Sequence, residues 1–147
     1  QNVEENVTLD LSTFNTSKVE DMSYMFQEAE ISTLILGNSF VSANVSCMTQ
    51  MFYKLGDGDE YPKNVKIDFG ALSIPNSLEE DGGGGKRGMF DNIAENSTSF
   101  KVKGDETLFA EIAIPRLSAA TPYYWQKATT PDPEGFYLME KAPVPSP

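Results

Sequence analysis

The chain contains no histidine and only one cysteine, Cys47, among its 147 residues. The lack of histidine excludes Ser-His-Asp and Cys-His nucleophile activation and the usual histidine-bearing zinc sites. One cysteine excludes an internal disulfide and a thiolate metal cluster, and fits either a cytosolic protein or an exported protein that folds without disulfides. We therefore expect a protein that is not an enzyme and needs no cofactor.

Basic residues are scarce as well. The chain has 11 Lys and Arg residues and 22 Asp and Glu residues, which gives a net charge of −11. Nucleic acids and anionic membranes are bound mainly through Lys and Arg, so neither is an expected partner. No apolar run approaches the roughly 18 residues of a membrane span, so we expect no membrane insertion by this fragment. The length is that of one domain, and the start at Gln1 suggests a mature or excised piece.

What the sequence does contain is a repeat. The segment "LDLSTFNTSKVEDMSYMF" (9–26) is echoed by "LILGNSFVSANVSCMTQMF" (34–52), and four apolar positions recur 26 residues later. Their spacing of i, i+3, i+6 and i+7 predicts one short helix in each copy. Ser17 with Glu20 is a capping box for the first helix, and Asn44 is a candidate N-cap for the second. The four positions are Val19, Met22, Met25 and Phe26 in the first copy and Val45, Met48, Met51 and Phe52 in the second.

Ahead of each predicted helix the apolar residues alternate with polar ones, which is typical of a strand with one buried face. "VTLDL" (7–11) and "LIL" (34–36) show this pattern, and "VKIDF" (65–69) and "SFKVKG" (99–104) extend it to a third and fourth strand. Units this small cannot bury their own apolar faces, so they must stack as a solenoid. We expect the apolar residues that recur in the repeat to form the core. In the first copy these are Leu9, Leu11, Phe14, Val19, Met22, Met25 and Phe26.

After residue 104 the pattern changes to that of a terminal cap. Acidic residues at 105–106 suit a helix N-terminus, and Pro115 should end that helix. "PYYWQK" and "GFYLMEK" then alternate like two strands joined across "ATTPDPE". We therefore divide the chain into repeat units (1–104), a capping helix and hairpin (105–141), and a linker-like tail (142–147).

The first copy resembles the BspA-type leucine-rich repeat, the DUF285 family of bacterial surface proteins. Units of that family are commonly written L-D-L-S-x-F-[DN]-T-S-x-V-x-x-M-x-x-M-F, and residues 9–26 match every specified position. The second copy keeps the Phe, Val, Met, Met and Phe. The resemblance implies an α/β fold, a right-handed β-α solenoid of about four short parallel strands with a helix and hairpin cap. It also implies a cell-surface or extracellular location and adhesion to host, matrix or neighbouring surface proteins, with no shared catalytic residues.

In such a solenoid the outward side chains of the strands line up across the sheet, and this face is where repeat proteins usually bind partners. We predict a partner-binding face there. Ile35 is its one apolar member and the best candidate for a contact hot spot. The predicted face consists of Thr8, Asp10, Thr33, Ile35, Lys66, Asp68, Lys101 and Lys103.

Other interpretations remain open. Tyr123, Tyr124 and Trp125 could supply stacking rings for a glycan, or the domain could be a structural spacer in a larger surface protein. The acidic loop with Asp57, Asp59 and Glu60 offers oxygen ligands for Ca²⁺ but lacks the spacing of an EF-hand. The Gly-rich segment 79–88 lacks the ending of a phosphate loop and is expected to be a surface loop.

Overall fold

The computed structural model describes residues 7–56, 58, 64–78, 85–117 and 119–145. These residues form six strands and one short helix. The elements in chain order are β1 (Thr8–Asp10), β2 (Thr33–Ile35), β3 (Lys66–Asp68), β4 (Ser99–Lys103), α1 (Glu106–Ile112), β5 (Tyr123–Lys127) and β6 (Tyr137–Pro143).

All six strands belong to one open sheet with the order β1-β2-β3-β4-β6-β5. The first four strands are parallel neighbours in chain order, as predicted. Strand β6 then pairs antiparallel with β4, and β5 with β6, which confirms the predicted hairpin. The sheet is therefore mixed. We call residues 8–29 unit one, 33–56 unit two and 66–94 unit three, since each begins with a parallel strand.

The predicted helices over 19–26 and 45–52 are wrong, because both segments fold as consecutive turns. In unit one the amides of Met25, Gln27 and Ala29 donate to the carbonyls three residues before them, and unit two repeats this with Met51, Tyr53 and Leu55. Overlapping β-turns place residues three and four apart on one side, as a helix does, so the apolar spacing fits both structures. The expected N-cap Asn44 instead donates from Nδ2 to the Ser17 carbonyl, at 2.6 Å.

The backbone amides that make no hydrogen bond within the turns donate to carbonyls of the next unit. Met22, Tyr24, Phe26 and Glu28 donate to the carbonyls of Cys47, Thr49, Met51 and Tyr53, at 2.7–2.9 Å. Met48, Gln50, Phe52 and Lys54 donate in the same way to Gly85, Arg87, Met89 and Asp91 in unit three. Buried backbone groups must be paired, and a neighbouring unit pairs them here as well as a helix would. We call these bonds the turn ladder.

The turn ladder requires an unusual backbone conformation at repeated positions. Tyr24, Gln50 and Gly88 occupy equivalent places and have φ of 61°, 51° and 63°. Positive φ is disfavoured for residues with a Cβ, and only the third unit has glycine at this place. At this place the stacking of units therefore holds two residues with ordinary side chains in the left-handed region.

The core lies between the sheet and the turn ladder. Phe26, Phe52 and Phe90, one from each unit, form a continuous column with ring centroids 5.5 Å and 5.1 Å apart. The middle residues of the strands, Leu34 and Ile67 among them, are fully buried on the inner face of the sheet. Each unit thus covers the apolar face of the next.

The prediction that Phe14 and Met25 belong to the core is wrong. Phe14 is 55% exposed and Met25 is 41% exposed, whereas their counterparts Phe40 and Met51 in unit two are 2% and 0% exposed. Unit one has a neighbouring strand on one side only. Side chains at equivalent positions are therefore buried in unit two and exposed in unit one.

The capping helix forms where the acidic residues predicted it. The Asp105 side chain accepts a hydrogen bond from the Thr107 amide at 2.8 Å, which is the geometry of an N-cap. Leu108, Phe109 and Ile112 are buried, and the helix ends at Ile112, three residues before Pro115. The cap is joined to unit three by an ion pair of 2.6 Å between Lys86 and Glu111.

Candidate functional site

The eight residues predicted for partner binding form two rows across β1 to β4. The strand register aligns Thr8, Thr33, Lys66 and Lys101 in one row, and Asp10, Ile35, Asp68 and Lys103 in the other. All eight are exposed or half-buried, because the inward positions lie between the two rows. The strand pairing thus assembles one continuous surface, which we call the outer face.

Charge changes along the outer face. Its β1 end carries Asp10 as the only ionised side chain, whereas its β4 end carries Lys101 and Lys103. Ile35 lies between Asp10 and Asp68 in the second row. The outer face therefore offers one apolar side chain between two carboxylates near β2, and a basic cluster near β4.

The basic end is engaged by the loop that joins β5 to β6. Lys101 forms an ion pair of 2.9 Å with Asp132, and Lys103 Nζ donates to the Glu134 carbonyl at 3.1 Å. The Phe136 ring, 9% exposed, lies with its centroid 5.0 Å from Lys66 Nζ, within the range of a cation–π contact. The loop therefore contacts the β3–β4 half of the outer face, at Lys66, Lys101 and Lys103.

Asp132 organises this loop. Its carboxylate also accepts hydrogen bonds from the amides of Glu134 and Phe136, both at 2.9 Å. The hydrogen bond from Lys101, followed by that from the Phe136 amide, holds the pKa of Asp132 below its ordinary value of 3.8. The loop is therefore attached through a carboxylate that is charged at neutral pH.

Asp10 stabilises a backbone turn in addition to lying on the outer face. Its Oδ1 accepts from the Ser12 amide at 2.9 Å, and Asp68 makes the equivalent bond with the Gly70 amide. Hydrogen bonding from Ser12, through its hydroxyl and then its amide, lowers the pKa of Asp10. These bonds are Asx-turns that carry the chain out of the strand. Replacing Asp10 would therefore disturb a turn as well as the surface.

Two of the three aromatic residues considered for glycan stacking are packed inside the cap. Trp125 is 1% exposed and Tyr123 is 6% exposed. The Trp125 ring meets the Phe100 ring edge-on, with centroids 4.8 Å apart. Tyr124 is half-buried on β5. Trp125 therefore offers no flat ring to a ligand at the surface.

A cleft in the cap was not foreseen from the sequence. It has a volume of about 450 Å³ and is lined by Glu95, Tyr123 and Lys141 among others. A second cleft of about 260 Å³ shares Glu95 and Tyr123 and adds Arg116 and Asp91. No motif in the sequence indicates these clefts, because Glu95 and Lys141 are 46 residues apart and meet only in the fold.

Both signs of charge meet at these clefts. Arg116 donates to Asp91 Oδ1 at 3.1 Å and to the Phe90 carbonyl at 3.3 Å, while its buried Nε has no hydrogen-bond partner among the described residues. Burial, and then the charge of Glu95, raises the pKa of Tyr123. Burial lowers the pKa of Lys141, whose ammonium donates to the Glu95 carbonyl. This mixture of donors and acceptors can bind a polar neutral ligand.

Within the described ranges, no three His, Cys, Asp or Glu side chains lie close enough to hold a metal ion. The proposed calcium ligands Asp57, Asp59 and Glu60 lie outside the described residues, as does most of the Gly-rich loop. Cys47 is half-buried, with its Sγ 3.4 Å from the Thr49 hydroxyl. The one helix in the described part of the chain is too short to cross a membrane.

Comparison with known proteins gives one result. Residues 2–64 match the family described as "Mycoplasma protein of unknown function, DUF285". The match covers less than half of the chain and includes units one and two. No curated protein and no solved structure matches the chain. The match supports the resemblance to DUF285 proteins over this part of the chain and carries no activity with it.

Proposed function

We propose that this chain is a non-enzymatic repeat domain of an exported bacterial surface protein, of the BspA leucine-rich-repeat kind, and that it binds protein partners. Its three stacked units and cap are then a short right-handed solenoid in which turn segments replace the helices. The partner is a host or matrix protein, or a protein on a neighbouring cell. The domain carries no cofactor in this proposal.

The observation that carries the proposal is the β1–β2 half of the outer face. Thr8, Asp10, Thr33 and Ile35 lie side by side there, whereas the loop of the cap contacts the β3–β4 half. A contact hot spot is a well-packed residue surrounded by contacts that exclude water, and Ile35 is the one apolar side chain of the outer face that can take this place. Ile35 is half-buried and stands where units one and three have aspartate.

The test is binding of the labelled domain to immobilised fibronectin, laminin and collagen. Ile35→Glu should reduce binding at least about tenfold, because it introduces a charge beside Asp10 and Asp68. Ile114→Glu is the matched control, since Ile114 is 41% exposed and belongs to the cap and not to a strand of the outer face. Equal loss in both variants, or binding that neither variant changes, would contradict a role for the outer face.

The surface location has its own test. Antibodies to the domain should label intact cells of the source organism, and brief protease treatment of those cells should remove the label. Label that appears only after the cells are permeabilised would contradict the proposal. Surface label without binding to any of the three matrix proteins would favour the structural spacer.

Glycan binding is a second candidate, and the cap clefts favour it. The unpaired Nε of Arg116 is a buried donor at a cleft that also holds carboxylates, a combination that suits sugar hydroxyls. Arg116→Lys keeps the charge and removes the fork of donors. Loss of glycan-array binding in Arg116→Lys, with matrix-protein binding unchanged, would favour the glycan over the protein partner.

A further inference from the structure

The two clefts of the cap adjoin each other and are balanced in charge. Glu95 and Tyr123 line both clefts and therefore form the boundary between them. Among the described lining residues, Asp91 and Glu95 carry negative charge, and Arg116 and Lys141 carry positive charge. An ion of either sign would meet as many like charges as opposite ones, which gives it no electrostatic advantage. The clefts are therefore better suited to a neutral ligand.

Two polar groups at this boundary are available to such a ligand. The Tyr123 hydroxyl and the Glu95 carboxylate make no hydrogen bond with any described residue, although Tyr123 is only 6% exposed. Burial, and then the charge of Glu95, raises the pKa of Tyr123, and the same charge opposes the effect of burial on the pKa of Lys141. The carboxylate therefore lies near both groups. Because its pKa is raised, the Tyr123 hydroxyl keeps its proton at neutral pH and can donate a hydrogen bond.

One donor beside one acceptor matches a secondary amide, which carries one N–H group and one carbonyl group. The larger cleft, of about 450 Å³, also has small apolar side chains in its lining: Ala119 and Ala120, which precede β5, and Ala142 on β6. Such side chains suit a methyl group, because the contact removes apolar surface of both partners from water. The lining therefore fits an amide with a methyl group attached, which is an acetamido group.

A peptide segment also contains secondary amides, but peptides commonly bind by adding a strand to a free sheet edge. Backbone carbonyls of the larger cleft are already in use. The Pro122 carbonyl accepts from the Val144 amide at 3.3 Å. The Tyr123 carbonyl accepts from the Arg116 amide at 2.7 Å. Recognition in this cleft therefore depends on side chains, which favours a compact acetamido group over an extended peptide.

We propose that the cap clefts bind the acetamido group of an N-acetylated amino sugar. Its N–H group donates to the Glu95 carboxylate, and its carbonyl accepts from the Tyr123 hydroxyl. Its methyl group contacts Ala119, Ala120 and Ala142. The volume of the larger cleft lies within the range of roughly 300–1,000 Å³ that is usual for small-molecule sites. The proposal rests on glycan binding, the second candidate function, and is independent of partner binding at the outer face.

The experiment titrates the full chain with N-acetylglucosamine, N-acetylgalactosamine and glucose, followed by NMR. At least one of the acetylated sugars should bind, and saturation transferred from the protein should be strongest at its acetyl methyl protons. Glucose has a hydroxyl in place of the acetamido group. It should bind at least about tenfold more weakly, because a hydrogen bond to a charged group and the methyl contact are lost.

Two pairs of variants show whether the sugar binds in the clefts. Tyr123→Phe and Glu95→Ala should each weaken binding of the acetylated sugar at least about fivefold, because each removes one hydrogen bond. Tyr124→Phe and Glu140→Ala are the matched controls, since both residues lie on the β5–β6 hairpin and line neither cleft. The emission of buried Trp125 shows that each variant is folded.

Each contrary result has a definite meaning. Equal affinity for glucose and the acetylated sugars, or equal effects of each variant and its control, would overturn the proposal. Tighter binding of N-acetylalanine methylamide than of either acetylated sugar would overturn it in favour of a peptide. Absence of binding by all three sugars would overturn both this proposal and the glycan candidate. Binding of matrix proteins by the outer face is measured separately with Ile35→Glu and is unaffected by these results.

Discussion

Phe14 and Phe40 occupy the same place in two copies of the repeat, yet replacing them should have very different effects. Phe40 is 2% exposed, and its ring centroid lies 6.2 Å from that of Phe26. Removing a buried phenylalanine side chain costs about 3–5 kcal/mol of stability, from lost burial and from the cavity left behind. We therefore expect Phe40→Ala to lower the free energy of unfolding by about 3–5 kcal/mol.

Phe14 should be far less sensitive. Complete burial of a phenylalanine side chain is worth about 1.5–3 kcal/mol, and Phe14 is 55% exposed. Less than half of that amount is available to lose, and little cavity forms at an open surface. Phe14→Ala should therefore cost about 1 kcal/mol or less, which leaves a difference of about 2–4 kcal/mol between the two variants.

Urea unfolding followed by Trp125 fluorescence and by far-ultraviolet circular dichroism measures both values. Coincident transitions from the two probes would justify a two-state treatment. Met25→Ala and Met51→Ala form a second pair at 41% and 0% exposure, and should differ in the same direction. Losses that agree within about 0.5 kcal/mol in each pair would refute the claim that the end of unit one is uncovered.

Three further predictions concern the backbone ladder, a buried hydroxyl and the loop of the cap. Gln50→Val should lower stability, because Gln50 has φ of 51° and a β-branched residue is a clear outlier in that conformation. Gln50→Gly should be neutral or stabilising, because glycine adopts positive φ without this cost and Gly88 is at the equivalent place. Thermal unfolding of both variants measures this, and equal effects would contradict the turn ladder. Thr16→Val should cost about 1–3 kcal/mol, since the Thr16 hydroxyl accepts from the Val41 amide and donates to its carbonyl, while Thr16→Ser should restore most of the loss in urea unfolding. The pKa of Asp132 should lie below 3.8 in a carbon-13 NMR titration and rise in Lys101→Met, and an unchanged pKa in that variant would contradict the ion pair. A carboxylate with a lowered pKa stabilises the fold above its unfolded pKa, and this stabilisation is lost as the pH falls through its folded pKa. The loop should therefore detach only below about pH 3.8.

The strand pattern was sufficient to predict the four parallel strands, although not the addition of the hairpin that makes the sheet mixed. Alternation around Leu34, Ile67 and Val102 identified the inward positions, and the register then aligned the outward residues in rows. This inference depends only on the two-residue period of a strand, which tertiary contacts do not change. The capping helix was predicted for a similar reason, because Asp105 and Pro115 act locally on the backbone.

The turn segments could not be predicted in this way. Met22 and Phe26 point inward in the structure as they would in a helix, so the apolar pattern does not distinguish the two. What decides between them is the presence of carbonyls on the next unit, which is a contact between residues 25 or 37 positions apart. Ser17 and Glu20 match a capping box, which is likewise a local signal. The segment that follows them bonds to the neighbouring unit and does not form the helix that this signal predicted.

The candidate site was predicted only in part. The rows on the outer face follow from the period of the strands, but the contacts that the loop with Asp132 and Phe136 makes with them do not. The loop reaches β3 and β4 because the hairpin adds to the sheet next to β4. The cap clefts depend on Glu95 and Lys141, which are 46 residues apart and meet only after that hairpin has paired.

The central claim is that successive units are joined through alternate backbone amides of their turn segments. Scalar couplings across hydrogen bonds, measured by NMR on the isotope-labelled chain, test it most directly. The account predicts couplings from the amide nitrogen of Tyr24 to the carbonyl carbon of Thr49, and from that of Gln50 to that of Arg87. Couplings from these amides to the carbonyls four residues earlier in the same segment would show helices instead, and would contradict it.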